Sequence, residues 1–163
     1  MVNEPTYRRR SARVFLVDGA DHLLLMRYTG RAGYYWLTPG GGVDHGESLP
    51  VAAARELREE VGLRVPPDVL GAPVAFASGH ADFSWAKGLF RDDFFFHRVD
   101  AHEVDKSGFT ELERTMHAGH RWWGRDELAT TDETVYPLEL VPLLDRLLAG
   151  SVPTEPVQLP WHH

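Results

Sequence analysis

Four glutamates lie close together between residues 40 and 63, in GGGVDHGESLPVAAARELREEVGL. Residues 49 to 61 are predicted to form a helix, and at roughly 100° per residue Glu56, Glu59 and Glu60 share one arc of its surface. Like charges four residues apart destabilise a helix by about 0.2–0.5 kcal/mol. A hard divalent cation such as Mg2+ or Mn2+ would convert this repulsion into binding, because it prefers carboxylate, carbonyl and water oxygens.

Glycines and an arginine accompany these carboxylates. Glycines 40 to 42 are predicted to form a loop in which the backbone can approach a ligand closely, and their carbonyl oxygens can supply another metal ligand. Arg55 can pair with Glu59 across one helical turn, which leaves Glu56 and Glu60 facing each other. Three acids on one helical arc are more often a solvated face than a metal site, so the arc alone does not decide.

The composition is that of one soluble globular domain, with 163 residues of which 43% are hydrophobic and 25% charged. The formal net charge of −7 argues against broad nucleic-acid binding, which needs a basic surface. The lack of cysteine excludes disulfides and thiolate metal sites. Because no segment resembles a signal peptide or a membrane span, we expect a cytoplasmic protein without a membrane partner.

Strands and helices are predicted on both sides of the acidic helix. The strands are ARVFLVD, HLLLMRY, YYWLT, APVAFAS, DFFFHRV and HRWWG. RDELA begins like a short helix, and PLELVPLLDRLLAG has the leucine spacing of a terminal helix. The acidic helix gathers Leu57 and Val61 on a side that can pack against a sheet. Together these elements predict an α/β or α+β fold with helices on a mixed sheet.

Residues 1–150 are predicted to form one domain, and residues 151–163 a proline-rich tail. The three prolines of SVPTEPVQLPWHH favour an extended, loosely packed end.

Several other stretches have both a functional and a structural interpretation. His117 and His120 of HAGH lack a third ligand at useful spacing, so we interpret them as a loop rather than a metal site. The arginines at 8–10 can attract phosphate, but a solvated strand entry is more common. Aromatic residues can stack on a base, although those in strands usually belong to the core; they are Tyr34, Tyr35, Trp36 and Phe83. The stretch GHADFSWAKGLFRDD can shape a substrate pocket.

The order of the acidic and glycine residues resembles the signature box of the Nudix hydrolase family. Read from Gly41, it is Gly, five residues, Glu47, seven residues, Arg55-Glu56-Leu57, one residue, Glu59-Glu60, one residue, Gly62-Leu63. No defining position departs from the family pattern. The flanking strands are similar as well, with WLTPGGG before the box and RWW ahead of a later acidic helix.

This resemblance implies a fold, a reaction and a set of roles. The fold would be an α/β/α sandwich around a mixed sheet, and the reaction would be hydrolysis of a diphosphate linkage in a nucleoside diphosphate derivative. Glu56, Glu59 and Glu60 would be metal ligands, with the carbonyl of Gly40 or Gly41 beside them. Glu47 would support these ligands, and Arg55 would orient the carboxylates.

A general base is also needed, because a carboxylate must take the proton of the attacking water. Glu56 is one candidate. The other is an acid in the 103–119 loop, where some family members keep a catalytic glutamate; Glu113 is preferred there, then Glu111. A solvated loop acid is the alternative for either.

The substrate is less well defined by the sequence. The short segment before the box resembles the MutT-type branch, which favours a nucleoside triphosphate first and a nucleotide sugar or ADP-ribose second. The proline expected in the ADP-ribose branch is replaced by Gly79. A non-catalytic nucleotide-sensing module is the alternative of another class, but such domains usually lose acids that this box keeps. A homodimer is one expected assembly.

Overall fold

A computed structural model of the protein describes residues 6–109, 111 and 117–162. Within these residues nine strands form a single sheet. They are β1 (Arg9–Val17), β2 (Leu23–Gly30), β3 (Gly33–Leu37), β4 (Gly40–Gly42), β5 (Ala75–Asp82), β6 (Lys87–Arg98), β7 (His117–Trp123), β8 (Thr134–Tyr136) and β9 (Val157–Gln158).

The sheet is mixed, and its central strand is β1. The order is β8-β3-β2-β1-β6-β5-β9, with β4 also paired to β1 and β7 to β2. The pairs β1–β6, β3–β8 and β5–β9 are parallel, and the others are antiparallel. This arrangement places β4, the glycine strand, beside the middle of the sheet.

Three helices of the described residues pack on the sheet: α1 (Leu49–Val61), α2 (Arg125–Thr130) and α3 (Leu140–Leu148). A short 3-10 helix spans Pro67–Leu70. The first helix begins at the N-cap Ser48, whose side chain accepts a hydrogen bond from the Val51 N–H, and it ends at Gly62. None of the described helices is long and apolar enough to cross a membrane.

The helices lie on opposite faces of the sheet, because β1 is apolar on both sides. Val14 and Leu16 pack in one core with Leu57 and Val61 of α1. Phe15, between them, points the other way into a second core with leucines of α2 and α3. The predicted α/β/α sandwich around a mixed sheet is therefore confirmed, and Leu57 and Val61 pack as predicted.

Three sequence expectations are wrong in detail. The end of the chain is not loosely packed, because β9 pairs with β5 and Leu159 is buried in a core. His117 and His120 lie in a strand rather than a loop, since β7 begins at His117 and pairs along β2. The glycines at 40–42 form a strand against β1, where the sequence suggested a loop.

Candidate active site

Arg55 is the centre of the carboxylate cluster on α1. Its Nε and Nη2 atoms donate to the two carboxylate oxygens of Glu47, at 2.8 and 2.9 Å. Its Nη1 donates to Glu56 at 2.9 Å and to Glu59 at 3.3 Å, and Nη2 also donates to the Gly42 carbonyl at 2.9 Å. One guanidinium therefore holds three carboxylates and a backbone carbonyl in fixed positions.

This arrangement is electrostatically strong because its members are shielded from solvent. The side chains of Arg55, Glu47 and Glu56 are only 20%, 12% and 11% exposed. The hydrogen bond from Arg55 holds the pKa of Glu47 below its usual value, and the same bond raises the pKa of Arg55. Glu47 and Arg55 consequently stay charged at neutral pH.

Glu60 lies on the inner side of the cluster and has partners of its own. Its Oε2 accepts a hydrogen bond from the Gly40 N–H at 3.3 Å, and its Oε1 accepts one from the Tyr28 hydroxyl at 3.5 Å. Glu60 and Glu56 are both buried, at 4% and 8% exposure. The cost of burying these carboxylates is offset by hydrogen bonds, from the Gly40 N–H of β4 to Glu60 and from Arg55 to Glu56.

The glycines allow this close approach of backbone and carboxylate. A side chain at Gly41 would begin 2.5 Å from the Glu56 Oε1 atom, so only glycine leaves room for that carboxylate. Gly40 has a φ of 150°, which other residues rarely adopt. Both glycines are thus needed for the contacts that hold Glu56 and Glu60.

The predicted metal ligands have the donor atoms of a divalent-cation site but not its spacing. Among the described residues, no three His, Asp or Glu side chains are spaced to hold a metal ion, because Glu56 and Glu59 turn toward Arg55. The donor chemistry nevertheless fits: the carboxylates and glycine carbonyls are all hard oxygen donors, and the missing side chain at Gly41 lets the Glu56 carboxylate lie against the backbone there. The metal-binding role of Glu56, Glu59, Glu60, Gly40 and Gly41 stays a prediction.

The other candidates for the general base are Glu113 and Glu111. Glu113 lies outside the described residues. Glu111 is described and is exposed to solvent.

A cavity of about 890 Å³ lies next to the carboxylate cluster. Arg9, Arg13 and Arg31 line it, and Arg9 also lies against Gly42, where an added side chain would begin 2.9 Å from the Arg9 Nη2 atom. Partial desolvation and the charge of Arg13 lower the pKa of Arg9, while Asp92 and Glu56 oppose this. Arg9 therefore lies between the cavity and the carboxylate cluster. The sequence interpretation of the arginines at 8–10 missed this position.

Aromatic rings form much of the rest of the cavity wall. Of the four aromatic residues considered from the sequence, Tyr35 and Phe83 line the cavity, Trp36 is in the core and Tyr34 is exposed. Residues 81–85 contribute to the wall, in agreement with the pocket-shaping interpretation of that stretch. The aromatic residues Trp85, Tyr136 and Trp161 were missed, since no local pattern shows that they meet at one cavity.

Comparison with known proteins agrees with this geometry. The family model of the NUDIX domain matches residues 7–144, most of the chain. The chain belongs to the Nudix family. The match confirms the recognition of the box.

Solved structures of Nudix proteins share the fold. The MutT protein from Methanosarcina mazei Go1 is 20% identical, with a TM-score of 0.63 over 91% of this chain and 98% of that one. The E. coli dihydroneopterin triphosphate pyrophosphohydrolase is 18% identical, with a TM-score of 0.63 over 90% of this chain and 99% of that one. At these identities the likeness establishes the fold alone.

One curated protein is similar over a shorter stretch. It is an octanoyltransferase from Myxococcus xanthus, 48% identical over 75 residues, which make up 44% of this chain and 21% of that protein. The match thus spans only about a fifth of the length of that relative.

Proposed function

We propose that this Nudix enzyme hydrolyses the diphosphate linkage of a nucleoside triphosphate, with Mg2+ or Mn2+ bound by Glu56, Glu59 and Glu60. The observation that carries this proposal is the position of the carboxylate cluster beside a cavity that is lined by arginines and aromatic rings. Guanidinium groups bind phosphate oxygens, and aromatic faces stack on bases. The cavity therefore offers groups that can bind both the phosphates and the base of a nucleotide.

Negative charge must be offset at such a site, because both the substrate and the cluster are anionic. The bound cation would neutralise phosphate charge and acidify the attacking water. Arg9 and Arg13, on the cavity wall, are placed to bind the phosphates. The chain itself thus supplies positive charge on the side of the cavity that faces Glu56.

Arg55 positions the groups that would act on the reacting water. By holding Glu47 and Glu56 from one guanidinium, it fixes the Glu56 carboxylate against Gly41. Glu56 is our first candidate to accept the proton of the attacking water, and Glu113 is the second. Glu47 contacts no cavity and acts by holding Arg55 in place.

The substrate class is supported by one structural neighbour, the dihydroneopterin triphosphate pyrophosphohydrolase of E. coli. A nucleotide sugar or ADP-ribose is the second candidate, since the cavity also has room for a second ring system. We further propose a cytoplasmic location, a small-molecule nucleotide as the partner rather than nucleic acid, and a homodimer as the assembly.

A hydrolysis screen that detects the nucleoside monophosphate product by chromatography tests the proposed function. Purified protein is incubated with nucleoside triphosphates, nucleotide sugars and ADP-ribose, with Mg2+, with Mn2+ and with excess EDTA. We expect turnover of a triphosphate with metal and none in EDTA. Nucleotide binding without any turnover would indicate a sensing module, and full turnover in EDTA would refute the role of the metal.

A further inference from the structure

The C-terminal segment is built into the sheet beyond the end of the family match, which stops at residue 144. Val157 pairs with Ala75 in β5, and the Leu159 N–H donates to the Phe76 carbonyl at 2.8 Å. Leu159 is 4% exposed and packs in the core. These contacts fix Trp161 and His162, which follow Pro160, at the cavity.

Trp161 lies against the edge of β5. Its indole N–H donates to the His80 carbonyl at 3.0 Å, and its ring occupies the space that a side chain at Gly79 would take. The ring is nearly parallel to Phe90, at 19° and 6.4 Å between centroids. His162 continues this aromatic surface and stacks on Tyr136 at 4.3 Å.

A second aromatic pair stands on the same cavity. Phe83 and Trp85 are stacked at 5.2 Å with 2° between their planes, and both meet Phe90 edge-on. Trp85 is 57% exposed, and the Arg9 guanidinium lies 5.2 Å from its ring. Phe90 thus lies between this pair and Trp161 and contacts all three rings.

We propose that Trp161 and His162 bind the nucleoside end of the substrate through ring stacking. The inference rests on the proposed function of the site. Bases have flat, polarisable faces that stack on aromatic rings, whereas phosphates need cations. Since Arg9 and Arg13 line the same cavity, the phosphates would lie toward the arginines and the base toward the C-terminal rings.

Binding measured in EDTA separates the two ends of the substrate. A nucleoside monophosphate probes the aromatic end, and inorganic pyrophosphate probes the arginine end. For Trp161→Ala, and for a chain that ends after Pro160, we expect the Kd for the monophosphate to rise roughly 10- to 100-fold, as loss of one stacking partner predicts. The Kd for pyrophosphate should change less than about twofold.

Two variants control for simple disruption of the tail. Gln158→Ala changes an exposed residue of β9 that does not line the cavity, and it should leave both affinities unchanged. Trp161→Phe keeps an aromatic face and should recover most of the lost affinity. In turnover assays, Trp161→Ala should raise KM for the best substrate with little change in kcat, and His162→Ala should do so to a smaller degree.

The outcomes distinguish this inference from the proposed function. Unchanged monophosphate affinity in Trp161→Ala and in the shortened chain, or an equal loss of monophosphate and pyrophosphate affinity, would overturn the role of the C-terminal rings. A parent protein that hydrolyses no substrate in the screen would refute the proposed function instead. A selective loss of monophosphate affinity would still support the inference in that case.

Discussion

Replacing Arg55 by alanine tests the cluster at its centre. The change removes five hydrogen bonds, which go to Glu47, Glu56, Glu59 and the Gly42 carbonyl. It also leaves Glu47 and Glu56 mostly buried, at 12% and 11% side-chain exposure, without the cation that compensates their charge. The variant should therefore be destabilised, and its carboxylates should lose their fixed orientation.

The expected size follows from the burial of these groups. Breaking a buried ion pair by removing one partner costs about 3–5 kcal/mol. In a chain of this length each kcal/mol lowers the melting temperature by about 2–4 °C, so the shift should be about 6–20 °C. Arg55→Lys should recover only part of this, because one ammonium cannot donate to both oxygens of Glu47 in the forked geometry.

Thermal unfolding in EDTA is the assay, followed by steady-state kinetics with metal. Arg58 provides the matched control, since it is an exposed arginine of the same helix, and Arg58→Ala should change stability by no more than about 1 kcal/mol. With metal, Arg55→Ala should lower kcat while nucleotide affinity stays nearly intact. If Arg55→Ala melts like Arg58→Ala, or loses only affinity, the orienting role is refuted.

Three further predictions address the metal, the buried glutamates and pH. Mg2+ should stabilise the parent protein, by about 2.7 kcal/mol at a concentration 100 times its Kd, and an unchanged melting temperature in saturating Mg2+ would contradict the site. Glu60→Gln should keep the stability of the parent within a few tenths of a kcal/mol, since Gln still accepts the Gly40 hydrogen bond, yet turnover should fall roughly 100- to 1000-fold. Glu56→Gln should lose at least as much turnover, and near-parental rates in a well-folded variant would rule out these ligands. Burial lowers the pKa of His117 from 6.5 to about 4, so the unfolded chain binds a proton between these values while the folded chain does not. Stability should then fall as the pH drops from 7 to 5. After solvent screening, this fall should be about 1 kcal/mol larger in the parent than in His117→Gln. Urea titrations at both pH values that show equal losses of stability in the parent and in the variant would exclude this.

The acidic helix could be predicted from the sequence because its signals are local. Periodic apolar residues, Gly62 at the end and the order of the glutamates all lie within two dozen positions, and the structure begins and ends the helix as predicted. The two faces of β1 likewise follow from an apolar run that alternates between two cores. Features of this kind depend only on residues near one another in the chain.

The missed elements depend on distant partners. A run of three glycines has no side-chain pattern, so nothing local shows that β4 pairs with Ser11, Ala12 and Arg13. The two-residue strand β9 exists only because it adds to the edge of β5, far away in sequence. The cavity joins residues from 9 to 162, and a single sequence does not reveal which of its aromatic residues converge.

The charge balance of the cluster explains why its glutamates occur together. Glu47, Glu56, Glu59 and Glu60 carry four negative charges around the single positive charge of Arg55, with Glu56 and Glu60 buried. A helix selected for stability alone would not bury these carboxylates, because burying a charged group costs free energy even when it is paired. Arg55 lowers the cost enough for the chain to fold, and it leaves a net negative charge beside the arginine-lined cavity. That remaining charge is what a divalent cation would neutralise, so the same imbalance that weakens the free protein is the source of its proposed affinity for metal.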